Sequence, residues 1–249
     1  MSELLYLYGE MDCRFRPLVA TVRFWASDTG LTRPVPGHTI TNFTLTLLII
    51  FYLQRLNAPI LPTVDEMIEL ARPEDYRVTY DLECTFLRDP SIFKQRVQNR
   101  DSLETLLYGF FQFLATCDYS REGFSIVSGL AYEKRYADPL YMQNPIERDY
   151  NVSKNVSRDQ VVQLKEKAGK ALATLDSTLG MVGKSKWGIL CFKKEDLLQS
   201  LRDKANGKVP TQKLLQGIFK SNADGKSKRF SKSKKEGRRS TEGRISKGL

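Results

Sequence analysis

The chain has 249 residues, 41% of them hydrophobic, with 39 Lys/Arg, 29 Asp/Glu and one histidine. That is enough apolar material for one large domain or two small ones with a buried core. A single His38 and four scattered cysteines (Cys13, Cys84, Cys117, Cys191) argue against a Cys/His zinc site and against a disulfide framework, which leaves free thiols in a reducing compartment.

The first residues, "MSELLYLYGE", read as helix and carry neither a basic secretory n-region nor an Arg/Ser-rich transit bias. Behind Gly9 stands Glu10-Met11-Asp12, an acid-x-acid triplet. Such a triplet holds a pair of divalent metals when an extended strand turns both carboxylates to one face. Here helical sequence lies on both sides, so the expectation is a helix–turn–helix junction with Asp12 as N-cap. Asp12 to Trp25 reads as a helix with Phe15, Leu18, Val19, Val22 and Trp25 on one face. "SDTGLTRPVPG" breaks it.

A second helix is expected from a hydroxyl cap at Thr39 to Thr41 to about Leu56. It is apolar on nearly every side and belongs in the core. Its apolar run, Leu45 to Leu53, falls short of the roughly 20 residues that cross a bilayer, so no membrane contact is expected. "NAPILP" is a loop, and "TVDEMIELA" a short helix behind a threonine cap. Arg77 to Leu87 allows short strands. Ser102 to Cys117 is amphipathic, with Leu103, Leu106, Leu107, Phe110, Phe111, Leu114 and Cys117 at helical spacing. Phe124 to Gly129 reads as extended, "LYMQNPIE" as a proline loop, and Val161 to Leu175 as a helix behind Ser157 and Asp159. "KWGILCF" and residues 194–204 and 210–219 are weaker elements. The fold class is α+β and predominantly helical.

Charge is unevenly spread. Lys220 to Leu249 hold 11 Lys/Arg against 3 Asp/Glu, while the preceding residues hold 28 against 26. A segment that polar cannot bury enough surface to offset ordering, so it is expected to be disordered. It is either a phosphate-attracting arm for RNA or a solubilising tail.

Several segments together carry a resemblance. "SELLYLYGEMDCRFRPLVATVRFWASDTGL", "PGHTITNFTLTLLIIFYLQR", "PILPT", "SLETLLYGFFQF", "SIVSG" and "PLYMQNPIERDYNVSKNVS" resemble, in order and spacing, the mitochondrial poly(A) RNA polymerases. These are template-independent nucleotidyltransferases of the DNA polymerase β-like superfamily. The resemblance runs from Ser2 to about Ser177, with a fainter echo at Trp187-Gly188-Ile189. It implies a central helical domain over 1–100, a poly(A)-polymerase-associated domain with following helices over 101–205, and a basic tail over 206–249. In that family the metal-binding carboxylates lie on a β-sheet palm that precedes the "SELLY" helix, so Met1 is expected to fall just past it. Mg²⁺ or Mn²⁺ is implied as cofactor, ATP as substrate, RNA 3′ ends as partner and the mitochondrion as location.

The resemblance also implies a nucleotide-binding set. Arg23, in Val22-Arg23-Phe24-Trp25-Ala26-Ser27, matches a cation that contacts nucleotide phosphates, although Ser27 stands where a second cation is usual. Without the family it is a surface arginine on an amphipathic helix. Asn42 matches a polar residue that reaches ribose or phosphate. Phe43 matches an aromatic that stacks on the incoming base; by burial statistics alone it is a core residue. Glu147 and Tyr150, in the segment from Gln143 to Asn151, match a loop that reads the base edge. Glu147 equally suits a loop-tethering carboxylate. Tyr150 stands where uridine-adding relatives carry histidine, which favours adenine. Three functions follow: an RNA 3′-adenylyltransferase present as its nucleotide- and RNA-recognition half, inactive alone; a non-catalytic RNA- or partner-binding module; and a terminal uridylyltransferase relative. Whether the chain oligomerises is not legible.

Overall fold

The computed structural model describes residues 1–33, 37, 39–134 and 137–179, all within one compact unit. Helix α1 (Ser2–Met11) buries Leu4, Leu7, Tyr8 and Met11, and α2 (Phe15–Asp28) buries the face its spacing predicts, Phe15, Leu18, Val19, Val22 and Trp25. The junction between them is the expected helix–turn–helix, with one correction. Asp12 does not cap α2. Its backbone is extended (φ −141°, ψ 130°) and it closes α1, while Arg14 stands at the N-cap of α2. The cause is local: the Asp12 carboxylate accepts the Arg14 amide at 2.8 Å and the Arg14 guanidinium at 2.9 and 2.7 Å. Its oxygens are engaged before they can reach the amides of α2, which therefore begins at Phe15 rather than Asp12.

Helix α3 (Asn42–Gln54) starts at Thr41, whose hydroxyl accepts the Thr44 amide at 3.0 Å. All residues from Thr44 to Phe51 are buried, as are Leu53 and Gln54. A buried polar group must find partners inside. Gln54 donates its amide to the carbonyls of Pro62 (2.7 Å) and Ile126 (3.1 Å), while its Oε1 has no partner among the described residues. Helix α4 (Val64–Glu69) follows a reciprocal capping box between Thr63 and Glu66. The strands expected in Arg77–Leu87 are a small hairpin, β1 (Val78–Thr79) with β2 (Leu82–Glu83), turned at Tyr80 and Asp81. A short helix, α5 (Ser91–Lys94), leads to α6 (Leu103–Thr116), capped by Ser102.

The larger sheet has β3 (Glu122–Ser125) at its centre, antiparallel to β4 (Leu130–Glu133) and parallel to β5 (Tyr141–Met142). The extended segment expected at Phe124–Gly129 is displaced: the strand ends at Ser125 and Ile126–Gly129 is a turn. The Ser125 hydroxyl accepts the Val127 amide at 3.2 Å, and the carbonyls of Ile126 and Val127 accept the first two amides of α4 at 3.2 and 3.0 Å. Ile126 and Val127 are thus apolar because α4 docks on them, not because a strand pairs there. Helix α7 (Arg158–Leu179) begins behind Ser157, whose hydroxyl accepts the Gln160 amide at 3.3 Å, and packs on α6 through Val161, Leu164, Ala168 and Ala171.

Helix α3 touches α2, α6, β3 and β5, which makes it the centre of the core. Aromatic rings fill the joints: Trp25 meets Phe111 edge-on at 4.7 Å between centroids, and Phe51 meets Phe124 at 5.2 Å. The described residues are therefore mostly helical, with two small sheets. No described helix is long and apolar enough to cross a membrane. The elements expected at "KWGILCF", 194–204 and 210–219, and the basic tail, lie outside the described residues.

Candidate nucleotide-binding site

Arg23 leaves the middle of α2 toward the first turn of α3. Its Nη2 donates to the Thr46 hydroxyl at 2.7 Å, and that hydroxyl donates to the Asn42 carbonyl at 2.7 Å. Thr46 is almost fully buried, so the guanidinium is tied at a fixed point. Its Nε is buried and has no hydrogen-bond partner among the described residues. An orphaned N–H on a cation is costly inside a protein unless something arrives to accept it.

Asn42 and Phe43 form the first turn of α3 beside this cation. The Thr41 cap takes the amide of Thr44, and among the described residues no hydrogen bond engages the amides of Asn42 and Phe43. Free first-turn amides at the positive end of a helix favour an anion. Asn42 is exposed, while Phe43 is half-buried and packs against the core. Ser27, at the second cation position of the motif, is exposed on the last turn of α2.

Glu147 and Tyr150 lie on a tight turn between β5 and α7. The Tyr150 amide donates to the Glu147 carbonyl at 2.9 Å, and the Asn144 amide to the Tyr150 carbonyl at 2.9 Å. Asn144 Oδ1 accepts the amides of Ile146 and Glu147 at 2.9 and 3.2 Å, so Asn144 builds the loop's shape. The Glu147 side chain is exposed. Tyr150 is 39% exposed, and the Lys154 ammonium sits 4.6 Å from its ring centroid. Asn151 staples the base of the loop: its Oδ1 accepts the Met142 and Ser153 amides at 3.1 and 2.9 Å, and its amide group donates to the Leu140 carbonyl at 3.0 Å.

The sequence-derived residues thus fall into two groups. Arg23, Asn42 and Phe43 gather at the start of α3, and Glu147 and Tyr150 share one turn. Among the described residues, no hydrogen bond, ion pair or ring contact joins the groups. Sequence reasoning missed Thr46, the residue that ties Arg23 to α3. Its signal was a threonine inside an apolar run, four residues after Asn42.

The acid triplet has another role. Glu10 pairs with Arg16, and Asp12 with Arg14. Burial alone would raise the Asp12 carboxyl, and the Arg14 hydrogen bonds override it and hold it below the ordinary range. Among the described residues, no group of three or more His, Cys, Asp or Glu could hold a metal ion. The described residues do not fit a divalent-metal pair.

This mostly helical fold is shared with solved structures of poly(A)-polymerase nucleotidyltransferases. The chain is homologous to mitochondrial poly(A) RNA polymerase. It is 44% identical to the Drosophila melanogaster protein of that name over 178 residues, covering 71% of this chain and 29% of that one. It is 42% identical to the Homo sapiens protein over 193 residues, covering 76% and 33%. Crystal structures of mtPAP in complex with ATPgammaS and with UTP both match at TM-score 0.69 and 39% identity, over 75% of this chain and 40% of those. The chain therefore spans about a third of the length of the curated relatives it matches. No protein-family profile matches it.

Proposed function

We propose that this chain is the nucleotide- and RNA-recognition half of a mitochondrial RNA 3′-adenylyltransferase, with ATP as substrate and RNA 3′ ends as partner. Residues 1–100 form its central helical domain, and 101–205 the poly(A)-polymerase-associated domain. The observation that carries the reading is Arg23, held by Thr46 at the open first turn of α3 with a guanidinium N–H still unpartnered. Arg23 takes the nucleotide phosphates, Asn42 the ribose or a phosphate, and Phe43 stacks on the base. Glu147 and Tyr150 read the base edge. Mg²⁺ or Mn²⁺, the cofactor that the resemblance implies, would neutralise phosphate charge, and none of the described residues would hold it. The described residues bind and orient; none of them is assigned to a metal.

The test is direct. The 249-residue protein, given oligo(A), ATP and Mg²⁺, should bind ATP and should not extend the primer. Arg23→Ala should weaken ATP binding by roughly 10- to 100-fold, the scale of a charge-assisted hydrogen bond. Primer elongation by this protein, or ATP binding indifferent to Arg23, would overturn the reading.

A second reading, a non-catalytic RNA-binding module, is favoured by the excess of 11 Lys/Arg over 3 Asp/Glu in residues 220–249. It is supported if RNA affinity falls steeply with salt and disappears when those residues are deleted. A third, uridine addition, requires UTP to bind more tightly than ATP.

A further inference from the structure

The turn that carries Glu147 and Tyr150 is braced from outside by an ion pair that the nucleotide-binding reading does not use. Arg148 Nη2 donates to Asp65 Oδ1 at 3.1 Å, joining the turn to the first turn of α4 across 83 positions of sequence. The Arg148 carbonyl accepts the Gln143 side-chain amide at 2.9 Å, and the Gln143 carbonyl oxygen accepts the Ser125 hydroxyl. Asp65, Arg148, Asp149, Gln143 and Ser125 all line one open cleft of about 530 Å³ between the turn, α4 and the sheet. Glu147 and Tyr150 do not line it. The turn therefore has a front that carries Glu147 and Tyr150, and a back that faces this cleft.

The turn buries Pro145 and packs Ile146 against the core, and leaves positions 147 to 150 exposed. Its backbone is set at the base by Asn144 and Asn151, and near its tip by the Arg148 bridge. We infer that Arg148 and Asp65 are positioning residues: their ion pair holds the turn against α4 so that Glu147 and Tyr150 meet the base in one orientation. The inference rests on the assignment of that turn to base reading. Both side chains are about half exposed, 52% and 44%, so the brace is weak and salt-sensitive. A weak brace suits a turn that must order around a ligand without contributing much to the stability of the fold.

The experiment uses Arg148→Gln, Asp65→Asn and their double substitution in the full chain, with amide hydrogen exchange read by mass spectrometry over residues 144–150. Each single variant should speed exchange there by about two- to fivefold, the range of an exposed pair, and the double should add nothing further. The amides of Met67 and Leu70 in and just after α4 serve as the folding control. Unchanged exchange in the single variants overturns the brace, and this arm needs no nucleotide. A second arm titrates ATP and UTP by calorimetry. The ratio of the two affinities should fall toward unity in the variants, while the Arg23-dependent phosphate contribution is retained, and Arg148→Lys should restore it in part. Faster exchange with an unmoved ratio would leave the brace in place and remove the base-reading assignment of the turn.

Discussion

The side-chain amide of Gln54 lies 3.4 Å from the Tyr8 hydroxyl, and both groups donate to the same carbonyl, that of Pro62. Helix α1 is thereby locked, at one buried point, to the end of α3 and the loop before α4. Burial pushes the Tyr8 phenol well above its ordinary range, so it stays a donor at any working pH. Gln54→Leu should cost about 1 kcal/mol, because the Pro62 and Ile126 carbonyls each lose one of two donors and keep the Tyr8 hydroxyl and the Val64 amide respectively. Tyr8→Phe should cost about 1 kcal/mol. Urea unfolding midpoints at unchanged slope would check both.

The Asp12–Arg14 pair gives a pH dependence whose sign is fixed. The folded state holds the Asp12 carboxyl below its ordinary value, so the unfolded chain takes up a proton first as pH falls. The pair's contribution is complete above about pH 4, the ordinary aspartate range, and is lost as pH drops through the lower folded value. Asp12→Asn should flatten this part of the acid limb and leave stability at higher pH less sensitive to further acidification. Circular dichroism at fixed urea across pH 2.5–5 (roughly that window) measures it.

Gly129 stands at φ +68°, and a Cβ there would lie 2.8 Å from the Thr63 methyl. Gly129→Ala should therefore destabilise by about 1–2 kcal/mol from the backbone alone. It should also disturb Thr63, the cap of α4. Thermal melting, with amide exchange at the start of α4, would show both effects together.

Phe43 separates its two readings by substitution. Phe43→Leu keeps most of its apolar contact with the core and removes the ring. Stacking predicts a loss of ATP affinity of about 1–3 kcal/mol with little change in melting temperature. A core role predicts the reverse.

What the sequence made legible was the periodic part of the fold. The buried faces of α2, α6 and α7, and the Thr41 and Thr63 caps, follow from 3.6-residue spacing and hydroxyl placement, which act locally. One misplacement is local: the Asp12 carboxylate binds Arg14, two residues on, rather than the helix amides. The other is tertiary: Ile126-Val127 is apolar because α4, far earlier in the chain, docks its first amides there. The site was legible only through family resemblance. Nothing in local spacing distinguishes Arg23 from a surface arginine; the Thr46 tie that sets it apart spans 23 residues. The Arg148–Asp65 bridge, across 83, had no local signal either.

Helix α3 is enclosed from Thr44 to Phe51, so its side chains answer to the packing of the whole interior. The turn from Asn144 to Tyr150 is held chiefly by main-chain contacts and by Asn144 and Asn151, and it leaves positions 147 and 150 facing solvent. Retuning which base is preferred by editing α3 would thus compete with folding itself. The same change made at 147 or 150 would leave the interior untouched. On the proposed assignment, an engineer seeking a different nucleotide preference in this scaffold should vary those two side chains and leave the helix alone.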